Sequence, residues 1–386
     1  MSRWFWRFIL SNGFFMLTIG LLIPNSGMLT RFGRGFKTAL ELGLGEQKEK
    51  VNIVIETGGS NAGPISVKAG LERLIVNHEP DLIIAPLSVS VLPDIENLLL
   101  AEEIPLLVTT LGENRLSDKP NNDIVRICSY GLWESAWLTA YHAVKEYGPL
   151  LTMVSAFHDC GYGFGEATSL GAQAAGGEVV NNVVTRKERA TGARTSRAQS
   201  FADVFNTPTD SLILNYSTDG IVRLNNMLSL ADQRLPMQAL AMTVDETSLT
   251  PELQQLDGLS SFLPKGHSRT GDDFKKFAEL FSFNSKKRAP NVYCFLAYQV
   301  GQTLSEILQQ EAICLAIDNG DSLYQLSDAF LASEQTPLFE RRVLELKSNA
   351  NNLVSDLELP DLCKQQRSEY KTDELMSGWF NPYLIA

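Results

Sequence analysis

The sequence is short of the residues that build metal sites and disulfide scaffolds. Its 386 residues include 5 cysteines and 4 histidines, and no two cysteines have the C-x-x-C spacing. An odd number of widely spaced cysteines excludes a disulfide-rich scaffold, and H-x-H and H-E-x-x-H motifs are also absent. We therefore expect a protein without a metal site, and no sequence feature predicts a cofactor.

Basic residues are also scarce. The 33 Lys and Arg residues against 45 Asp and Glu residues give a formal net charge of −12 and a pI of about 5.0. Nucleic-acid phosphates are bound by basic faces, so we expect no nucleic-acid partner. Apolar residues make up 44% of the chain, which is ordinary for a globular protein, and the length suggests two domains with a large core.

Motifs of common enzyme classes are incomplete. Gly161, Gly163 and Gly165 have G-x-G-x-G spacing, whereas a dinucleotide-binding loop needs G-x-G-x-x-G. The segment 58–62 is similar to a nucleophile elbow, but it ends in Ala62 instead of glycine, and Pro64 follows. The sequence therefore predicts a protein that is not an enzyme.

Residues 1–16 combine two early arginines with an apolar run and resemble a secretory signal. A small-x-small cleavage site does not follow. The apolar run is long enough for a membrane anchor, but Gly13, Gly20 and Pro24 interrupt it. Three interpretations stay open for this segment: an export signal, a membrane anchor or a non-exported extension.

Short apolar runs alternate with helical patterns along two stretches of the chain. In the first stretch the predicted strands are 17–23, 51–57, 81–87 and 104–110, and in the second they are 150–157, 178–184, 211–217 and 237–243. Nearly continuous apolar strands separated by helices are typical of parallel sheets covered on both faces. The predicted fold class is therefore α/β, with two doubly wound parallel-sheet lobes.

Small hydroxyl side chains follow the predicted strands of the first stretch. In doubly wound sheets, ligands lie beyond the carboxyl ends of the strands, so these hydroxyls are candidates for binding a polar ligand. The same residue types also cap helices, and that alternative stays open. The candidates are Ser26, Ser88, Ser90, Thr109 and Thr110.

Several segments, in a fixed order, resemble the type I periplasmic binding proteins, specifically the branched-chain amino-acid group with its Leu/Ile/Val-binding and amide-sensing members. The resemblance covers about residues 17–310. Its main segments are IGLLIPNSG (19–27), DLIIAPLSVS (81–90), AEEIPLLVTT (101–110), HDCGYGFGEA (158–167) with GGEVV (176–180), and APNVYCFLAYQVGQTLSEIL (289–308).

The resemblance implies two lobes joined by a three-crossover hinge that closes on a ligand, without catalysis. It implies a first lobe of residues 17–125 plus 256–320 and a second lobe of residues 126–255 plus 321–386. The family's usual final strand pair is not recognisable in this sequence, and we expect a mostly helical C-terminal region instead.

The resemblance also implies ligand-lining roles for Tyr162 and Tyr216. It places Asp245 where amino-acid binders have the acidic partner of the ligand ammonium, although Asp245 could instead cap a helix. Trp133 could cover the ligand or simply pack in the core. Val89 stands where the family has a ligand-binding serine, which argues against a standard aliphatic α-amino acid.

The leading hypothesis is the extracytoplasmic solute-binding component of an ABC importer, with an amino acid, an amide or a related polar compound as ligand and a membrane permease as partner. The alternative is an amide-sensor-like regulator, which would act in the cytoplasm on a signalling protein. An enzyme on a similar α/β fold is the third hypothesis.

Overall fold

The computed structural model of the chain describes most residues between 16 and 384. The described residues are 16–27, 29, 31–60, 62–115, 124–185, 204, 207–229, 235–248, 256, 258–264, 271–285, 288–309, 339–345, 350–357, 359–368 and 379–384. The predicted signal-like or anchor-like segment 1–16 therefore lies almost wholly outside them.

The first sheet contains five parallel strands in the order β2-β1-β3-β4-β5. All seven residues of β1 are buried, as expected of a central strand covered on both faces. The strands are β1 (Leu17–Ile23), β2 (Val51–Thr57), β3 (Leu82–Ala85), β4 (Leu106–Thr110) and β5 (Val125–Ser129).

Helices cover both faces of this sheet. α1 (Phe32–Leu44) buries one apolar stripe that includes Phe36 and Leu40, and α2 (Pro64–His78) and α3 (Leu92–Glu102) pack in a separate apolar cluster. Proline in the first turn suits α2 and α3, because the first N–H groups of a helix have no intrahelical partner. We call the sheet and its helices the first lobe.

The second sheet has the order β12-β11-β10-β9-β8-β6-β7, in which β11 is antiparallel to both β10 and β12 and the other pairs are parallel. Its strands are β6 (Leu150–Ala156), β7 (Glu178–Thr185), β8 (Ser211–Asn215), β9 (Met237–Ala239), β10 (Ser260–Pro264), β11 (Phe339–Glu345) and β12 (Ala350–Leu357). Its helices are α4 (Leu132–Tyr147), α5 (Phe164–Ala174), α6 (Asp219–Leu228) and α7 (Ala241–Ser248). These elements form the second lobe.

Along the described elements, the chain passes between the lobes three times. It leaves the first lobe between β5 and α4, and it returns after β10 with α8 (Asp272–Asn284) and α9 (Val292–Gln309), which pack on α1. The third crossing lies between α9 and β11. α10 (Asp361–Ser368) then packs against α5 of the second lobe. The predicted α/β two-lobe fold is confirmed.

Details of the predicted domain boundaries differ from the strand pairing. β5 pairs with β4 and so belongs to the first sheet, although the second lobe was predicted to begin at residue 126. β10 pairs with β9 and β11 in the second sheet, so residues 260–264 do not belong to the first lobe as predicted. The expected helical C-terminal region is wrong for residues 339–357, where β11 and β12 form a strand pair.

The physical reason for the last error is composition. β11 and β12 read FERRVLE and ANNLVSDL, so they carry few of the apolar residues by which buried strands are recognised.

A search of the described helices finds none that is long and apolar enough to cross a membrane.

Candidate functional site

The carboxyl ends of strands from both lobes meet at one place. Asn114, after β4, donates from Nδ2 to the Ser88 hydroxyl at 3.1 Å, and its Oδ1 accepts from the backbone N–H of Gly163 at 3.0 Å. The same Gly163 N–H approaches the carbonyl oxygen of Glu113 at 3.0 Å. Gly163 begins α5 of the second lobe, so these bonds join the lobes directly.

The first lobe contributes a buried carboxyl group. Thr110 donates its hydroxyl to Oε2 of Glu113 at 2.5 Å, and the backbone N–H of Gly112 donates to the same hydroxyl at 3.1 Å. The Glu113 side chain is 1% exposed, and its Oε1 has no hydrogen-bond partner among the described residues. Burial raises the pKa of Glu113, because desolvation disfavours the charged form, and the Thr110 bond opposes only part of that effect.

The second lobe contributes another buried carboxyl group. Asp159, after β6, accepts hydrogen bonds from the backbone N–H of Ser217 at 3.0 Å and from its hydroxyl at 2.7 Å. Burial raises the pKa of Asp159, while the neighbouring His158 and the Ser217 bonds act in the opposite direction. The Asn215 side chain, at the end of β8, donates to the carbonyl oxygen of Asp159 at 3.1 Å.

The predicted residue Trp133 lies at the first crossing between the lobes. Its indole is fully buried and donates to Oε2 of Glu166 at 3.1 Å. Oε1 of Glu166 forms an ion pair with Arg115, whose guanidinium also lies 5.7 Å from the Trp133 ring centroid. The Trp133 indole is thus engaged in contacts between the lobes.

One residue of the segment Trp379–Leu384, Tyr383, lies beside both carboxyl groups. Tyr383 is 1% exposed. Its backbone N–H faces the Glu113 carboxyl group, and its hydroxyl lies beside Asp159 and Ser217. Its carbonyl oxygen accepts from the hydroxyl of Tyr293, in α9, at 3.1 Å. Tyr383 therefore contacts both lobes at once.

Aromatic rings surround Tyr383. Its ring meets those of Tyr162 and Phe164 edge to face, with centroids 4.9 Å and 5.1 Å away. The Tyr162 hydroxyl accepts from the side chain of Asn381 at 3.0 Å. Burial raises the pKa of Tyr162, and the neighbouring carboxyl groups of Glu113 and Asp159 raise it further.

The other hydroxyl residues predicted at the strand ends of the first lobe differ in how they are connected to this site. The Ser88 and Ser90 hydroxyls are 2.9 Å apart, and Ser88 joins the site through Asn114. Thr109 is buried, and its hydroxyl has no hydrogen-bond partner among the described residues. The Ser26 hydroxyl accepts from the backbone N–H of Leu29 at 2.7 Å, which is a turn contact after β1.

Two further predicted residues belong to the second lobe. Tyr216, fully buried after β8, shares a 2.8 Å hydrogen bond with the Thr185 hydroxyl. Asp245 lies within α7, which follows β9, so its backbone continues a helix and does not begin one. The ligand-binding roles of all nine predicted residues stay predictions.

Sequence reasoning did not single out Glu113, Asn114, Asp159, Tyr293 or Tyr383. Three of them, Glu113, Asn114 and Asp159, follow β4 or β6 within four residues, so extending the search past the hydroxyl groups at the strand ends would have found them. The aromatic, apolar composition of 379–384 was the available signal for Tyr383, but its partner cannot be read from local sequence.

The chemistry of this centre favours hydrogen-bond donors. Two buried carboxyl groups, one from each lobe, accept from N–H and O–H groups, and the Tyr293 hydroxyl donates to a carbonyl oxygen. Among the described residues, no cluster of His, Cys, Asp and Glu could hold a metal ion. The arrangement suits the binding of a small polar molecule.

Comparisons with known proteins agree with the two-lobe fold. The family model described as periplasmic binding protein matches residues 16–310. Among solved structures, the ABC transporter substrate-binding protein from Sphaerobacter thermophilus has a TM-score of 0.68 and 21% identity, covering 90% of this chain and 99% of that chain. A search of curated proteins gave no match.

Two further structures contain ligands. An ABC transporter solute-binding protein from R. palustris, in complex with benzoate, has a TM-score of 0.66 and 16% identity, covering 89% of this chain and 97% of that chain. A branched-chain amino acid transporter substrate-binding protein from Streptococcus pneumoniae, in complex with isoleucine, has a TM-score of 0.60 and 11% identity, covering 88% and 99%. At these identities the likeness establishes the fold.

Proposed function

The chain belongs to the periplasmic binding protein family, and from this premise we propose that it is the extracytoplasmic solute-binding component of an ABC importer. It closes two lobes on a small polar solute, and a membrane permease reads the closed form. The family consists of substrate-binding proteins and not of enzymes, and its name implies a location outside the cytoplasm.

The observation that carries this proposal is the meeting of Glu113 and Asp159 at one site from opposite lobes. A ligand that touches both groups is bound more tightly when the lobes are closed than when they are apart. Only such differential binding shifts a hinge equilibrium. The hydrogen bond from the backbone N–H of Gly163 to Oδ1 of Asn114 joins the two lobes beside the site.

The solute class that we propose is an amino acid, an amide or a related compound with N–H donors. Hydroxyls at the first lobe's strand ends, Thr109 and Thr110 among them, supply polar contacts. Asp245 remains, besides the buried Glu113, a candidate partner of a ligand ammonium group, where a charge-assisted hydrogen bond would contribute about 1.5–3 kcal/mol. The solute structures with isoleucine and benzoate support small ligands of this size.

The test is calorimetric titration of the full chain with amino acids, amides and aromatic carboxylates, followed by small-angle scattering. A true ligand is expected to bind at one site and to reduce the radius of gyration. At 100 times its Kd it should add about 2.7 kcal/mol of stability. Asp245→Ala should abolish binding of amines if Asp245 pairs with them, while Glu72→Ala, at an exposed position of α2, serves as the matched control.

The importer role needs a second measurement. With the cognate permease in membrane vesicles, the ligand-loaded protein should stimulate ATP hydrolysis, and the ligand-free protein should not. Binding of amides without any stimulation would instead favour the amide-sensor-like regulator. Absence of solute binding would contradict the proposal if it holds both for the full chain and for variants in which Tyr383 no longer occupies the site.

A further inference from the structure

We propose that the segment Trp379–Leu384 is a tethered surrogate ligand, and that the site it fills recognises 4-hydroxyphenyl amines and amides, which must displace it in order to bind. This inference rests on the proposed function and names the ligand class of the same site. It follows from the contacts of Tyr383, which no part of the two-lobe fold requires.

Tyr383 makes the set of contacts expected of a ligand between lobes. On the first lobe its backbone N–H reaches Glu113, and its carbonyl oxygen accepts from Tyr293 at 3.1 Å. On the second lobe its hydroxyl reaches Asp159 and Ser217. A free 4-hydroxyphenyl compound with a nitrogen donor two or three atoms from its ring would place the same groups against the same partners.

The walls of the site are matched to an aromatic ring. The Tyr162 and Phe164 rings meet Tyr383 at interplanar angles of 77° and 78°, the edge-to-face arrangement that aromatic pairs prefer. Tyr162, Phe164 and Tyr293 are themselves buried, so their positions are fixed by packing. An aliphatic side chain of similar length would lose these ring contacts.

The two buried carboxyl groups of the site favour ligands that donate hydrogen bonds over anionic ligands. Oε1 of Glu113 is buried without a hydrogen-bond partner among the described residues. The neutral backbone N–H of Tyr383 supplies one hydrogen to Glu113, whereas an ammonium group supplies three. A free amine can therefore satisfy Glu113 better than the tethered segment does, whereas a benzoate-like anion has no hydrogen to donate to either carboxyl group.

Outside the site, Trp379 attaches the segment to the second lobe, and its contacts can be removed without changing the site itself. Trp379 donates from its indole to the carbonyl oxygen of His158 and from its backbone to that of Gly161, both at 2.9 Å. Its side chain remains 36% exposed, and Phe380 is 43% exposed. A small number of hydrogen bonds on an exposed surface is what a displaceable segment requires.

Gly161 provides a way to displace the segment without touching the site. A Cβ at Gly161 would lie 1.8 Å from Nε1 of Trp379 and 2.2 Å from two further indole atoms, so Gly161→Ala and the docked Trp379 exclude each other. The backbone of Gly161 does not have a positive φ, so alanine is compatible with its conformation. Gly165→Ala is the matched control, because a Cβ there meets nothing within 4 Å.

The experiment is calorimetric titration of the full chain with tyramine, comparing the wild type with Gly161→Ala, Tyr383→Ala and Gly165→Ala. Occupation by the segment lowers apparent affinity by the fraction of open sites, so the first two variants should bind tyramine at least about tenfold more tightly than the wild type. Gly165→Ala should match the wild type. In the wild type, tyramine should also increase hydrogen–deuterium exchange in peptides that cover residues 379–384.

Ligand comparisons decide the chemical class. Phenethylamine, which lacks the hydroxyl, and 4-hydroxybenzoate, which lacks the amine, should each bind the displaced variants about tenfold more weakly than tyramine. If Gly161→Ala does not fold, Tyr383→Phe takes its place, because it removes only the hydroxyl that reaches Asp159 and Ser217.

Three outcomes of these titrations would contradict the inference, and each identifies which part of it is wrong. Equal tyramine affinity in all four proteins would overturn the tethered-ligand proposal. If the displaced variants bind leucine or benzoate but not tyramine, the inference on ligand class is overturned while the solute-binding function stands. If the displaced, folded variants bind no solute of any class, both this inference and the proposed function are wrong.

Discussion

Arg115 of the first lobe and Glu166 of the second form an ion pair across the lobes, with 3.0 Å between Nη1 and Oε1. The other carboxylate oxygen of Glu166 accepts from the Trp133 indole at 3.1 Å. Both carboxylate oxygens are therefore used at the first crossing between the lobes. Because the Arg115 side chain is only 11% exposed, solvent screens this pair less than an ordinary surface ion pair.

We expect Glu166→Ala to destabilise the protein by about 1–3 kcal/mol, because it leaves the buried Trp133 indole N–H without its acceptor and removes the partner of Arg115. Urea unfolding measures the loss. Glu166→Gln is the matched control, since its amide oxygen can still accept from Trp133, and it should lose less. Equal losses in the two variants would show that the indole hydrogen bond contributes nothing.

Glu113 makes stability depend on pH. Its pKa is raised in the folded state above the ordinary value of 4.5, so the folded state holds the proton more tightly than the unfolded chain. The associated stability is fully present below about pH 4.5 and is lost as the pH rises through the raised pKa. Asp159, whose pKa is also raised, adds a loss of the same sign above its ordinary value of 3.8.

Glu113→Gln should remove its share of this loss, because the amide stays neutral at every pH. Relative to the wild type, the variant should become progressively more stable as the pH rises above about 4.5, as measured by urea unfolding at several pH values. Glu72→Gln, at an exposed position of α2, should run parallel to the wild type. A Glu113→Gln curve that also stays parallel would contradict a raised pKa at Glu113.

The parallel strands β1 to β4 and β6 to β9 could be predicted from the sequence because most of them are apolar along nearly their whole length, as in Leu17–Ile23. The strand predicted at 237–243 was too long. β9 ends at Ala239 and α7 begins at Ala241, because a continuous apolar run has no period that separates a strand from the first turn of a buried helix.

The site was harder to predict than the fold. The hydroxyl residues Ser88 and Thr110 were found because they stand directly at strand ends. The contacts that join the lobes were not, since Asn114 and Gly163 are 49 residues apart and Glu113 and Tyr383 are 270 residues apart in the sequence. Pairings over such distances depend on how the lobes and the segment 379–384 pack, and no local pattern encodes them.

α10 docks on the second lobe through a buried charge. Arg367 donates to Oε1 of Glu134 at 3.2 Å, and the Glu134 side chain is 2% exposed. We expect Arg367→Ala to destabilise the protein by about 3 kcal/mol, because it removes the cation that faces a buried carboxylate. Lys364→Ala, on the same helix and in an exposed pair with Asp361, should change unfolding in urea very little. Similar effects of the two substitutions would show that the buried pair does not hold α10.

The backbones of α1 and α9 approach each other at two glycines. A Cβ at Gly301 would lie 2.4 Å from the carbonyl oxygen of Leu40 and 2.9 Å from Cα of Gly43. Both neighbours are backbone atoms, so Gly301→Ala can be accommodated only if the helices move apart, which we expect to cost about 1–3 kcal/mol.

Gly165→Ala is again the control, because it replaces a helical glycine with open space around it and should stabilise α5 by about 0.5–1 kcal/mol. Urea unfolding of the two variants should therefore shift in opposite directions from the wild type. A neutral Gly301→Ala would mean that α9 packs on α1 with room for a methyl group. Since this contact fixes α9, it also fixes Tyr293, and Gly301→Ala should weaken the contact from its hydroxyl to the carbonyl oxygen of Tyr383.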